Sequence, residues 1–325
     1  MMKKITVSLL TAILATGTVL AQKVDYSVVA VVEEKSLDLQ KVSTDNDYVC
    51  MPIVQRSSNG VNWFTNRILD ISPDGLSMAY LSHRNNTTNV FVKDVDRQGA
   101  SRQRTNRLAV IDFSYSPDGK KLAFSEKRGK SNQIFITDAK EGFVCRQVTS
   151  GAEDYSPVFS KDMKNIFFSR QEKRNTGIWG YDVTNNYLSS YTVGMNPAPG
   201  KDGKTIYVAR NNNGRGEIWR VNYENGVEDC ILSSSTQSFY SPLLSPDGTT
   251  LLLSGSTPMQ NGSSNYWNVD VYTCNVDGTD LRQQTYHAAD DLSPVWSRDG
   301  RYIYFISQRG SADGLPNIWR MSFVK

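Results

Sequence analysis

The sequence predicts an all-β chain, a six-bladed β-propeller of four-stranded antiparallel blades whose last blade is completed by an N-terminal strand. Three observations carry that prediction. A tight turn recurs six times, as Ser72-Pro73-Asp74-Gly75, Ser116-Pro117-Asp118-Gly119, Ser160-Lys161-Asp162-Met163, Gly200-Lys201-Asp202-Gly203, Ser245-Pro246-Asp247-Gly248 and Ser297-Arg298-Asp299-Gly300. Each turn is followed by two apolar segments with strand composition. The spacing of about 40 to 50 residues is that of a propeller blade.

The chain begins with a removable leader. Lys3 and Lys4 precede the mostly apolar stretch from Ile5 to Leu20, and Val19-Leu20-Ala21 is a small-residue cleavage site. The apolar stretch is short and interrupted by Ser8, Thr11, Thr16, Gly17 and Thr18, so residues 1–21 read as a signal peptide and no transmembrane segment is expected. The expected destination is the periplasm. Losing two lysines and no acid takes the formal charge from +3 to +1. A surface so close to neutral has no bias toward nucleic acid or anionic membrane.

Residues 22–325 then form a single propeller. Its blades are expected at about 67–106, 110–150, 155–193, 197–233, 240–286 and 292–325. In such turns Pro, where present, presets φ, Asp bonds back to the turn backbone and Gly accepts a positive φ. One Asp per turn is too few for a Ca²⁺ loop, which gathers several carboxylates within a dozen residues. The turns are therefore read as skeleton.

Counting from the turn Asp sets the strand register. Six residues on stand Tyr80, Phe124, Phe168, Val208, Leu253 and Phe305, in the second strands. Seventeen residues on stand Phe91, Phe135, Trp179 and Trp219, in the third strands, with Tyr272 and Trp319 displaced by longer loops. Outer strands follow at Phe143–Val148, Leu188–Val193, Asp229–Leu232 and Leu281–Thr285. The sixth repeat has none after Trp319. Residues 36–44 carry the same pattern, with Gln40-Lys41-Val42 matching Arg146-Gln147-Val148, and are expected to complete the last blade and hide its open edge.

The Ser-Pro-Asp-Gly turns, the segments Ser156-Pro157-Val158-Phe159 and Ser293-Pro294-Val295-Trp296, and the Ile-aromatic strands together resemble TolB-type propellers, built from WD40-like Pro-Asp repeats. The similarity covers residues 36–325. It implies a six-bladed fold and, less specifically, protein contact across a propeller face. Only some 45 residues precede the first inner strand, so the separate α/β domain of TolB proteins is expected to be missing.

No catalytic constellation accompanies the repeats. A Gly-x-Ser-x-Gly elbow, a Cys-x-x-Cys pair, a His-Glu-x-x-His helix and a Gly-rich phosphate loop are all absent from the sequence. No cofactor is expected. Cys145 and Cys230 fall in different blades, too far apart to bridge, Cys50 and Cys274 are not obviously placed to pair, and all four read as buried free thiols.

What departs from the repeat lies on the rim opposite the turns. His83, His287, Asp290 and Asp291 fall there, with Asp154 in the equivalent loop of the third blade. The fifth blade carries an eight-residue insertion, read as a loop from Ser256 to Trp267 that ends in Tyr266 and Trp267. Loops on a rigid scaffold concentrate function, and Tyr and Trp make good interface anchors. The stretch Cys50 to Asn66, with Trp63 and Phe64, is expected to cover part of the ring.

These features favour a monomeric, non-enzymatic scaffold that binds a protein or cell-envelope component through the loop-rich face. The competing reading is a carbohydrate-binding or metal-dependent polysaccharide lyase or hydrolase using the channel mouth, with His83, His287 and Asp291 around an ion.

Overall fold

The computed structural model describes residues 38–324 except 53, 58, 59, 65, 66, 97, 98, 174, 262 and 263, and gives backbone alone for 55–57, 60–64, 257–261 and 264–266. The leader at 1–21 and the start of the 36–44 segment lie outside the described residues. Among those described there is no α-helix, and no helix long and apolar enough to cross a membrane.

The chain enters through β1 (Gln40–Lys41), a 3₁₀ turn at Asp45–Asp47, and a hairpin of β2 (Val54–Ser57) and β3 (Gly60–Phe64). Four-stranded antiparallel units follow. The first contains β4 (Leu69–Ile71), β5 (Ser77–Arg84), β6 (Thr87–Asp94) and β7 (Arg102–Gln103). The second contains β8 (Val110–Tyr115), β9 (Lys121–Arg128), β10 (Ser131–Asp138) and β11 (Cys145–Gln147). The third contains β12 (Glu153–Phe159), β13 (Asn165–Gln171), β14 (Thr176–Asp182) and β15 (Tyr187–Val193), and one parallel pair, Asn132 with Glu153, joins it to the second. The fourth contains β16 (Met195–Pro199), β17 (Thr205–Asn212), β18 (Arg215–Asn222) and β19 (Glu228–Leu232). The fifth contains β20 (Ser238–Leu244), β21 (Thr250–Asn261), β22 (Ser264–Asn275) and β23 (Arg282–Gln283). The last contains β24 (Asp291–Trp296), β25 (Tyr302–Ser307) and β26 (Asn317–Ser322), with β1 as its fourth strand.

The register read from the turns is the register of the sheets. Tyr80 faces Phe91, Phe124 faces Phe135, Phe168 faces Trp179, Val208 faces Trp219, Leu253 faces Tyr272 and Phe305 faces Trp319. All six second-strand members are fully buried. Each such side chain contributes about 1.5–3 kcal/mol when removed from water. The core is therefore a series of sheet-to-sheet contacts, and its largest cluster joins the first and second units to Val295, Tyr304, Ile306 and Ile318 of the last.

Turn chemistry follows the expectation. Ser72 Oγ donates to Asp74 Oδ1 at 2.6 Å, and the same bond recurs from Ser116, Ser160, Ser245 and Ser297 to their own turn aspartates. The fourth position has positive φ even where it is not glycine, at Met163 (+62°). In the inner strands a second device repeats. Ser156, Asn196, Ser241 and Ser293 have φ between +51° and +53°, each precedes a proline, and each sits where the ladder slips register. Proline cannot donate to the ladder, so a bulge accommodates it.

The outer strands share a lock that the repeat counting overlooked. Thr105, Thr149, Thr285 and Ser43 each accept, through the side-chain hydroxyl, the backbone N–H of the residue just before the strand's aromatic: Val90, Ile134, Val271 and Ile318. Residues 40–43 thus reproduce the bonds of 146–149. Gln40 pairs with Arg320 and Lys41 with Trp319, as Arg146 pairs with Ile136 and Gln147 with Phe135.

Two expectations are corrected. The insertion in the fifth unit is not a loop: β21 and β22 run twelve residues each and stay paired from Thr250–Asn275 to Asn261–Ser264. Backbone groups there satisfy one another by continuing the ladder, which a free loop of that length could not do. The thiols are free, but only Cys274 is buried, and Cys230 is exposed because β19 is an edge strand.

Candidate binding faces

The loop-rich rim holds the residues singled out from sequence, and most of their charge is already engaged. Asp154 is fully buried and receives Arg170 Nε at 2.7 Å and Nη2 at 2.9 Å. Asp291 is fully buried against Arg309, itself buried, through Nη2 to Oδ2 and Nε to Oδ1 at 3.3 Å. His287 is buried rather than on an open rim. Its Nδ1 accepts the Ala289 N–H at 2.9 Å and its carbonyl accepts Asn268 Nδ2 at 2.7 Å. Asp290 is half-buried and caps the Val269 N–H at 3.0 Å. His83 is exposed near the end of β5, with Nδ1 3.0 Å from Thr88 Oγ1. No three His, Cys, Asp or Glu side chains converge as a metal site would require among the described residues.

The arginines in those pairs belong to a repeat of their own. Arg84 lies over Phe91 at 4.1 Å, Arg128 over Phe135 at 4.9 Å, Arg170 over Trp179 at 4.5 Å, Arg210 over Trp219 at 4.3 Å and Arg309 over Trp319 at 5.9 Å. Each guanidinium covers the aromatic of its own sheet and then binds a carboxylate or hydroxyl beside it. The signal was present in sequence, eight or ten residues after each turn Asp, but it was masked by the changing offset. The fifth unit breaks the pattern with Gly255, over which the Tyr272 ring lies directly.

Two more acids, Asp47 and Asp112, are buried behind the rims, and a third, Asp70, is half-buried. Asp47 accepts Lys93 Nζ at 2.8 Å, Tyr80 Oη at 2.9 Å and Thr44 N–H at 2.8 Å. Burial pushes its carboxyl up, but those donors outweigh it and hold it below the ordinary range. Burial also dominates at Asp112, which is raised to about 6 although Ser125 Oγ and Ser156 N–H donate to it. Burial raises Asp70 in the same way, against the charge of Arg67 and donors from Tyr115 and Ile71.

The long hairpin and the entry segment shape the rest of this rim. Trp267 is half-buried against the core of the fourth and fifth units, and Tyr266 has only its backbone described. The backbone pairs Trp267 with Pro258 and Tyr266 with Met259. Residues 47–50 run along β5, where Cys50 N–H donates to the Leu81 carbonyl at 2.9 Å. Met51 then packs on the first-unit and the fourth- and fifth-unit clusters together, and β3 lies against β18, β20 and β21. The entry segment therefore crosses from the first unit to the far side of the molecule.

A wide cavity lies at the other end, among the repeated turns. It measures ≈ 540 Å³ and is bounded by Arg67, Asp70 and the second residue of all six turns. A narrower space of ≈ 40 Å³, between the Ser-Pro bulges, shares Arg67 and Val158 with it. The turns are thus both skeleton and the rim of a mouth. Their aspartates are held within the turns, while their second positions face the cavity.

A family model described as the TolB beta propeller domain matches residues 67–262. The chain belongs to that family. Among solved structures this TolB-family chain is similar to putative TolB from Agrobacterium tumefaciens, at 18% identity and a TM-score of 0.58, covering 82% of this chain and 94% of that one. It is similar to TolB from Acinetobacter baumannii at 19% identity and a TM-score of 0.61, covering 77% of this chain and 64% of that one. It is also similar to oligogalacturonate lyase from Vibrio parahaemolyticus, at 12% identity and a TM-score of 0.57, covering 89% and 94% respectively. At such identities the likeness is one of fold. Because one of these relatives is a lyase, the TolB-family fold alone does not separate a scaffold from an enzyme.

Proposed function

We propose that this TolB-family chain is an exported, periplasmic scaffold, monomeric and non-enzymatic, that binds a protein or cell-envelope component through its loop-rich face. In this reading the six four-stranded units close into one ring. Supporting closure, Ser293 Oγ accepts the Ile68 N–H at 3.0 Å, and the Arg298 side chain packs against Gly75 of the first turn. The pairing of β1 with β26 supplies the last unit's fourth strand. Supporting export is the leader composition around Lys3, Lys4 and Val19-Leu20-Ala21.

The observation that carries binding over catalysis is the fate of the rim acids. Asp154, Glu126 and Asp291 are each neutralised by arginine, through Arg170, Arg107 with Arg128, and Arg309. A general acid or base needs access to its substrate, and these three are buried in structural pairs. The surface left for recognition is the long β21–β22 hairpin with Tyr266 and Trp267, together with His83 and Asp290.

The test is capture of crosslinked partners from intact cells by the wild type and by a Tyr266→Ala, Trp267→Ala double variant. Loss of specific partners from the variant at an unchanged melting temperature is expected. Recovery of the same partners from both would remove the hairpin from the reading.

A further inference from the structure

The second position of the repeated turn is Pro73, Pro117 and Pro246 in three repeats, and Lys161, Lys201 and Arg298 in the other three. All six line the ≈ 540 Å³ mouth. Every departure from proline is thus to a cation, and every such cation reaches the same cavity. Arg67 adds a fourth from the start of the first unit.

One carboxylate, Asp70, shares the wall and offsets Arg67, whose charge acts on it; no other described acid lines the cavity beside Lys161, Lys201 and Arg298. Lys161 Nζ reaches only the Lys201 carbonyl at 3.4 Å, and Lys201 Nζ only the Asp247 carbonyl at 3.0 Å. Arg298 makes no ion pair among the described residues, whereas Arg67 acts on the carboxyls of Asp70 and Asp112. The one acid in the wall, Asp70, is turned to the backbone N–H groups of Tyr115 and Ile71. The neighbouring turn aspartates are held by their own Ser hydroxyls and amides. The cavity falls within the ≈ 300–1,000 Å³ range of small-molecule sites. Its charges stand on separate turns, so they suit several anionic groups spread across a ligand better than one compact anion.

We propose that the mouth on the turn face is a binding site for a small polyanion, held by Lys161, Lys201 and Arg298, with Arg67 beside them. It is separate from the loop-rich face and independent of the role assigned there. The carbonyls beside both lysines keep their ammonium groups at the rim, where a ligand's anionic groups replace water.

The repeat itself supplies a variant that keeps the fold. Lys161→Pro, Lys201→Pro and Arg298→Pro restore the residue found in the other three turns, at a position for which proline is preset. The mature chain is titrated by calorimetry with citrate and, separately, with myo-inositol hexakisphosphate, at low and at high salt. Saturable binding of at least one probe is expected, weakened by salt and weakened about tenfold or more in the triple variant. The variant should melt no lower than the wild type and capture the same partners through the loop-rich face. Preference for citrate would identify a polycarboxylate ligand, and preference for the hexakisphosphate a polyphosphate one. Absence of binding by either probe, or equal binding by a folded triple variant, would overturn the proposal.

Discussion

Asp112 shows how a single buried side chain sets a pH response. Its carboxyl rises from an ordinary 3.8 to about 6 because burial penalises the charged form more than its hydrogen bonds favour it. Between those two values the folded chain holds a proton that the unfolded chain releases. Stability from this group is therefore full below 3.8 and falls as pH rises toward 6. Asp112→Asn, which stays neutral, should show a smaller loss of melting temperature between pH 4 and pH 7 than the wild type. Parallel curves for the two proteins would mean that the carboxyl is already ionised in the fold. Sequence reading reached the rim residues His287, Asp291 and Asp154 but not their burial. A loop aspartate looks the same in sequence whether it faces water or an arginine from the next strand.

At the level of elements, the repeat is legible wherever the spacing is constant. The turns, the second-strand core residues and the cross-strand aromatics all follow from counting, because a hairpin of fixed length can hold only one register. The outer strands were located by analogy, down to the equivalence of residues 40–42 with 146–148. Their Ser or Thr lock was not seen, since a single hydroxyl leaves no periodic signal. The fifth unit's insertion at Ser256–Trp267 reads as a loop because its polar composition hides continued strand pairing. The same unit lacks the stacking arginine, and Gly255 lets the Tyr272 ring close over the strand instead. A Cβ added there would meet that ring at 2.4 Å, and Tyr272 is also held by Gln237 through its hydroxyl at 2.9 Å. Gly255→Ala should therefore cost about 1–3 kcal/mol, measured by urea unfolding. An unchanged midpoint would show that the ring moves aside freely.

For the whole molecule, the entry segment matters beyond its length. Residues 40–43 bond to β26, Ser43 Oγ donates to Asn317 at 2.8 Å, and Asp47 pairs with Lys93 inside the first unit. It thus ties the last unit to the first. Deleting residues 22–45 should lower the melting temperature sharply, whereas an unaltered transition would count against ring closure. By itself the sequence determined the all-β class, the six repeats, the strand register and the partner of the final edge. Those are consequences of local turn chemistry and of a period that must satisfy backbone hydrogen bonds. Only the tertiary structure decided which polar groups remain available. It buried the rim acids under arginines supplied by neighbouring strands, and it brought Lys161, Lys201 and Arg298, far apart in the chain, around one mouth. Charge pairing and enclosure depend on distances between repeats, which no single repeat encodes.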